Sequence, residues 1–64
     1  MLTEIKESKV LLVDEDAAIW ATRAAGGWKV YRRQTGKKAR FEGFFLGEHT
    51  PEDVLDQLRS LARQ

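Results

Sequence analysis

Sixty-four residues hold one small domain, and a folded chain of this length hides only about 60% of the surface its unfolded form exposes. With no cysteine, a disulfide framework, a thiolate metal site, a redox motif and a cysteine nucleophile are all excluded. At 42% hydrophobic and 33% charged residues the chain is too apolar for a disordered tail and too charged for a membrane protein.

The net charge of +1 conceals three unlike blocks. Residues 1–16 set Lys6 and Lys9 against Glu4, Glu7, Asp14, Glu15 and Asp16, a balance of −3. Residues 17–41 carry Arg23, Lys29, Arg32, Arg33, Lys37, Lys38 and Arg40 with no acid, a balance of +7. Residues 42–64 set Arg59 and Arg63 against Glu42, Glu48, Glu52, Asp53 and Asp56, again −3.

In chain order, residues 1–8 are expected to form a frayed start to a single domain over 1–64. They lack the basic then apolar layout of a secretion signal. The longest apolar run, Val10 to Val13, is far shorter than the roughly 20 residues of a membrane span. A cytoplasmic location without membrane contact is the expectation. Val10 to Val13 reads as a buried strand, and Asp14-Glu15-Asp16 as a turn or helix start. Lys9 to Asp16 resembles the first strand and acidic turn of response-regulator receiver domains. That family needs a parallel sheet in a longer chain and a phosphorylatable aspartate after its third strand, whereas Asp56 falls inside the expected final helix.

Residues 17–25 fit a strand, and also a short alanine-rich helix ended by Gly26-Gly27. The strand is preferred because it agrees with the hairpins that follow. Gly26-Gly27 and Thr35-Gly36 are candidate two-residue hairpin loops, glycine being the residue that takes positive φ without strain. The first loop would oppose Ala25 to Trp28, Arg23 to Val30, Thr22 to Tyr31 and Trp20 to Arg33. The second would oppose Val30 to Phe41, Tyr31 to Arg40, Lys29 to Glu42 and Arg33 to Lys38. Gly43 interrupts the alternation before Phe44-Phe45-Leu46 and reads as a bulge or bend.

Thr50-Pro51-Glu52-Asp53 is a helix start, with a threonine N-cap, proline where its missing N–H is no loss, and acids in the first turn. Val54, Leu55, Leu58, Leu61 and Ala62 form one helical stripe, which predicts a helix over 51–63. The fold expected is α+β, a three- or four-stranded antiparallel meander packed on that helix.

Opposed residues share a face and neighbours alternate, so the two hairpins sort the meander into two surfaces. One collects Ile19, Ala21, Trp28, Val30, Ala39 and Phe41, with Arg23 and Arg32 at its margins, and is the expected seat of the helix. The other collects Trp20, Thr22, Lys29, Tyr31, Arg33, Lys38, Arg40 and Glu42. A basic surface with interleaved aromatics points to a polyanion, because phosphates attract Lys and Arg while Tyr and Trp stack on bases. The candidate nucleic-acid contacts are Lys29, Tyr31, Arg33, Lys37, Lys38, Arg40 and Trp20. A solvated face in which Lys29 pairs with Glu42 is the plainer alternative.

From Ile19 to Leu61 the order of short strands, glycine turn, basic hairpin, aromatic strand and closing helix resembles the three-stranded-sheet-plus-helix DNA-binding domains of tyrosine-recombinase N-termini and plant ethylene-response factors. The resemblance implies a sheet that enters the major groove, a helix that braces it, and a role as a regulatory or mobile-element factor. It also implies that Lys29, Tyr31, Arg33, Lys38 and Arg40 lie on the DNA side. The Val10 to Val13 strand is extra to that pattern.

Catalysis finds no support. His49 reads as a loop or capping residue, and Ser8 and Ser60 have no base and acid to complete a triad. Asp14, Glu15 and Asp16 read as a turn rather than a cation site, and no cofactor is implied. Trp20, Phe44, Phe45 and Val10 to Val13 exceed what one helix can cover. A homodimer contact or a host protein bound by a small accessory or inhibitor protein is the competing expectation.

Overall fold

The computed structural model describes residues 2–63 as a five-stranded antiparallel sheet with one helix on one face. The strands are β1 (Leu2–Ile5), β2 (Lys9–Val13), β3 (Ala17–Ala24), β4 (Gly27–Gln34) and β5 (Arg40–Leu46), followed by helix α1 (Pro51–Ala62). Each strand pairs with the next, in the order β1-β2-β3-β4-β5. The α+β meander is as expected, but with more strands than the three or four read from sequence. The added strand is β1, whose Leu2 and Ile5 fall on opposite faces and so leave no alternating apolar signal. Residues 17–25 resolve as strand rather than helix, and the antiparallel sheet differs from the parallel sheet of a receiver domain.

The helix begins where its sequence says it should. Thr50 is the N-cap, its Oγ1 accepts from the Asp53 backbone N–H at 3.2 Å, and Pro51 opens the first turn. Arg63 caps the other end. Val54, Leu55 and Leu58 are buried against Val10, Leu12, Ile19, Ala21, Trp28 and Val30, with Phe45 and Leu61 packed at the rim. The helix backbone runs closest to β1, β2 and β3 and its side chains reach β4, which leaves the helix side of β5 thinly covered.

The two central hairpins both depart from their expected registers, with opposite consequences. The β3–β4 loop is Ala25-Gly26, not Gly26-Gly27, and Gly27 is already in strand opposite Ala24. Gly26 alone takes positive φ, at 82°. Gly27 has another constraint: a Cβ there would collide with the Phe45 carbonyl oxygen and come within 2.7 Å of Phe44 Cε1. The resulting pairs are Arg23 with Trp28, Thr22 with Lys29, Ala21 with Val30 and Trp20 with Tyr31. This is a shift of two residues, and an even shift leaves each side chain on its expected face.

The β4–β5 hairpin shifts by an odd step. Its turn is centred on Thr35-Gly36, with Gly36 at φ 79° and the Lys37 N–H donating to the Gln34 carbonyl at 3.0 Å. The ladder then starts one residue off, Arg32 opposing Arg40 and Tyr31 opposing Phe41. A bulge at Glu42, one position before the expected break at Gly43, adds a second step, so Val30 opposes Gly43, Lys29 opposes Phe44 and Trp28 opposes Phe45. Phe41 therefore leaves the expected core face and is 59% exposed. Ala39 lies outside the strand and is exposed. Glu42 meets Arg32, with Nε to Oε1 at 4.0 Å, rather than Lys29.

Candidate nucleic-acid interface

The sheet face away from the helix carries a line of large side chains across four strands. Leu11 opposes Trp20, Trp20 opposes Tyr31, and Tyr31 opposes Phe41. The Trp20 and Tyr31 rings stack with centroids 5.9 Å apart and planes inclined by 19°. Phe41 meets Tyr31 edge-on, at 5.7 Å and 71°. These contacts hold Tyr31 from both sides, so the row is ordered before any ligand arrives.

Two further rows flank it. On one side Lys9, Thr22, Lys29 and Phe44 stand in line, and on the other Leu2, Val13, Ala18 and Arg33. The face thus presents Lys9, Lys29 and Arg33 around an aromatic centre. The nearest acid in the row is Glu4, opposite Leu11, and it is paired with Lys6 at 3.0 Å. Leu46, opposite Gly27 at the far end, is 78% exposed.

The sequence-derived site is therefore divided. Trp20, Lys29, Tyr31 and Arg33 share the open face as expected. Arg40 is a correction: the odd shift puts it opposite Arg32 on the helix side. Lys38 is another, since it lies in the loop and not opposite Arg33; Lys37 lies beside it in the same turn. Both lysines line a groove with Arg32, Gln34, Arg40 and Glu42. The acid-free +7 block is thus spread over both faces. Arg23 lies over the Trp28 ring at 4.5 Å and donates from Nε and Nη2 to the Glu7 carbonyl, while Arg32 donates from Nη2 to the Leu61 carbonyl at 2.9 Å.

Sequence reasoning missed Phe41 and Lys9 as members of this face. The signal for Phe41 was Gly43: a break in alternation between Phe41 and Phe45 permits them to face opposite ways. Lys9 lay in an acidic segment, but its strand parity is opposite to Val10, which is buried.

The remaining candidates are structural. His49 sits in the loop before the helix, its Nε2 donating to the Leu46 carbonyl at 2.9 Å and its own carbonyl accepting from Trp28 Nε1 at 3.3 Å. Asp14 Oδ1 accepts from the Glu15 N–H at 2.8 Å, a local turn bond. Among the described residues no cluster of three or more His, Cys, Asp or Glu is placed to hold a metal, and no helix is long and apolar enough to cross a membrane.

No family model, curated protein or solved structure matches the chain.

Proposed function

We propose that the protein binds nucleic acid on the open face of its sheet, and that it takes strands with accessible bases in preference to closed duplex. The observation that carries this reading is the Leu11, Trp20, Tyr31, Phe41 row bordered by Lys9, Lys29 and Arg33. Groove readers place Arg, Lys, Asn or Gln against base edges for bidentate hydrogen bonds. The centre of this face offers aromatic surface instead, which stacks on any base, and its cations stand where they can follow a phosphate backbone. The displacement of Arg40 and Lys38 removes two of the cations on which major-groove docking of the recombinase type depends.

The two tryptophans make the test direct, because Trp28 is fully buried and Trp20 lies on the face. Titration with oligothymidylate or oligouridylate should quench the Trp20 emission. For an oligomer short enough to stay on this face, contributions from Lys9, Lys29 and Arg33 should make log affinity fall against log salt with a slope of about −2. Tighter binding to duplex than to single strands overturns the preference for accessible bases, and emission unmoved by any nucleic acid at low salt overturns the reading entirely.

One observation favours a second reading. The β1–β2 half of the face carries Leu2, Leu11 and Val13, which with Phe41 form apolar surface that a protein, including another copy of this chain, would cover. Phe45 and the inward half of the Val10 to Val13 run are not available for this, since they pack beneath or beside the helix. Sedimentation as a dimer that Phe41→Glu dissociates, together with indifference to nuclease treatment, is the result this reading requires.

A further inference from the structure

The cations absent from the open face gather on the other side of the sheet. Arg32 and Arg40 are directly opposed across β4 and β5, a position in which like charges repel. The groove around them is completed by Gln34, Lys37, Lys38 and Glu42, a lining with four bases and one acid. Glu42 is turned toward Arg32, and Arg32 also holds the Leu61 carbonyl. Among the described residues no ion pair reaches Lys37, Lys38 or Arg40. The turn bond from the Lys37 N–H to Gln34 and the positive φ of Gly36 fix where the two lysines leave the sheet. The helix backbone runs closest to β1, β2 and β3, and no helix residue lines the groove.

We propose that this groove is an oxyanion site that takes a phosphate group, and that in a nucleic-acid complex the group is a backbone phosphate reached after the strand passes Arg33 and turns around the β4–β5 hairpin. The second clause rests on the reading of the open face; the first stands without it. Glu42 faces Arg32, and a phosphate supplies the negative charge that Arg40 lacks. Arg40 can offer it two parallel N–H donors, Lys37 and Lys38 supply mobile point charges, and the Gln34 amide adds neutral donors. Arg33 and Arg32 are consecutive on β4 and face opposite ways, so the open face and the groove meet at the same end of the hairpin.

The experiment compares the wild type with a triple variant, Lys37→Gln, Lys38→Gln and Arg40→Gln, which should melt at or above the wild-type temperature because it removes the opposed charge. Inorganic pyrophosphate should shift the amide resonances of residues 34–42 saturably in the wild type, leave Trp20 emission unchanged, and act at least tenfold more weakly on the triple variant. Oligothymidylate long enough to round the hairpin should bind the triple variant about tenfold more weakly, with the salt slope reduced by about 2. A short oligomer confined to the open face should show no difference. Absence of saturable pyrophosphate shifts overturns the site. Pyrophosphate binding with unchanged long-strand affinity overturns the strand path and leaves a free phosphate compound as the ligand. Saturable pyrophosphate binding alongside Trp20 emission unmoved by every strand supports the site while refuting the open-face reading.

Discussion

Trp28 and Trp20 lie on adjacent strands of one sheet, yet one is an anchor of the fold and the other stands half-buried on the opposite face. Trp28 has no accessible surface, donates its indole N–H to the His49 carbonyl and carries Arg23 over its ring. Trp20 is half-buried and stacks on Tyr31 of its own face. What separates them is strand parity: Trp28 faces the helix and Trp20 faces away. The helix side spends its apolar residues on burial, whereas the open side keeps Trp20, Tyr31 and Phe41 in a row that no element among the described residues covers. A fold needing only one covered face would be served by polar residues on the other.

The largest effect expected from this comparison is at Trp28. Trp28→Ala opens a cavity beneath the helix and strands the His49 carbonyl, and should cost about 3–5 kcal/mol by denaturant unfolding. If that variant does not fold, Trp28→Phe gives a graded loss in the same direction. A loss below about 1 kcal/mol for the alanine variant would show that the helix is not seated as described. Next is Gly27→Ala, in which the added methyl meets the Phe45 backbone where β4 and β5 approach closely. The cost should be about 1–3 kcal/mol, with β5 amides losing hydrogen-exchange protection before those of β2.

Trp20→Ala inverts the pattern. It leaves no cavity in the core and should lower stability by no more than about 1.5 kcal/mol, from the lost Tyr31 stack and partial burial. Strand affinity should drop by about 1–3 kcal/mol if a base stacks there. Equal stability losses for Trp20→Ala and Trp28→Ala would erase the distinction between the faces.

The faces of β3 and β4 were legible in the residues because the error in their loop was even. Taking Gly26-Gly27 for the turn displaces each pair by two, and Ile19, Ala21, Trp28 and Val30 still point inward. For β5 the local pattern Arg40-Phe41-Glu42-Gly43-Phe44-Phe45 permits either parity, and the residues of the turn do not decide between them. The decision is tertiary. The bulge sends Phe45 inward against Trp28, brings Glu42 to Arg32 and turns Phe41 outward. The helix was legible from its cap and stripe, being local, whereas β1 was not, since its residues are exposed and pair with a strand rather than a core. The candidate site inherited these limits: its β3 and β4 members stand together, and its β5 members change sides.

The smallest expected effect tests where the covered face ends. Gly43 opposes Val30 on the helix side, where a packed sheet would leave no room for a side chain, yet a Cβ built there meets nothing within 4 Å. Its φ is not in the left-handed region, so the backbone does not require glycine either. Glycine in a strand costs about 0.5–1 kcal/mol relative to alanine through its freedom in the unfolded chain. Gly43→Ala should therefore raise the unfolding midpoint slightly while leaving strand binding on the open face unchanged. A destabilisation instead would mean that the helix side is closed over β5 after all. The groove at Arg32 and Arg40, which depends on that side being open, would then have no room for an anion.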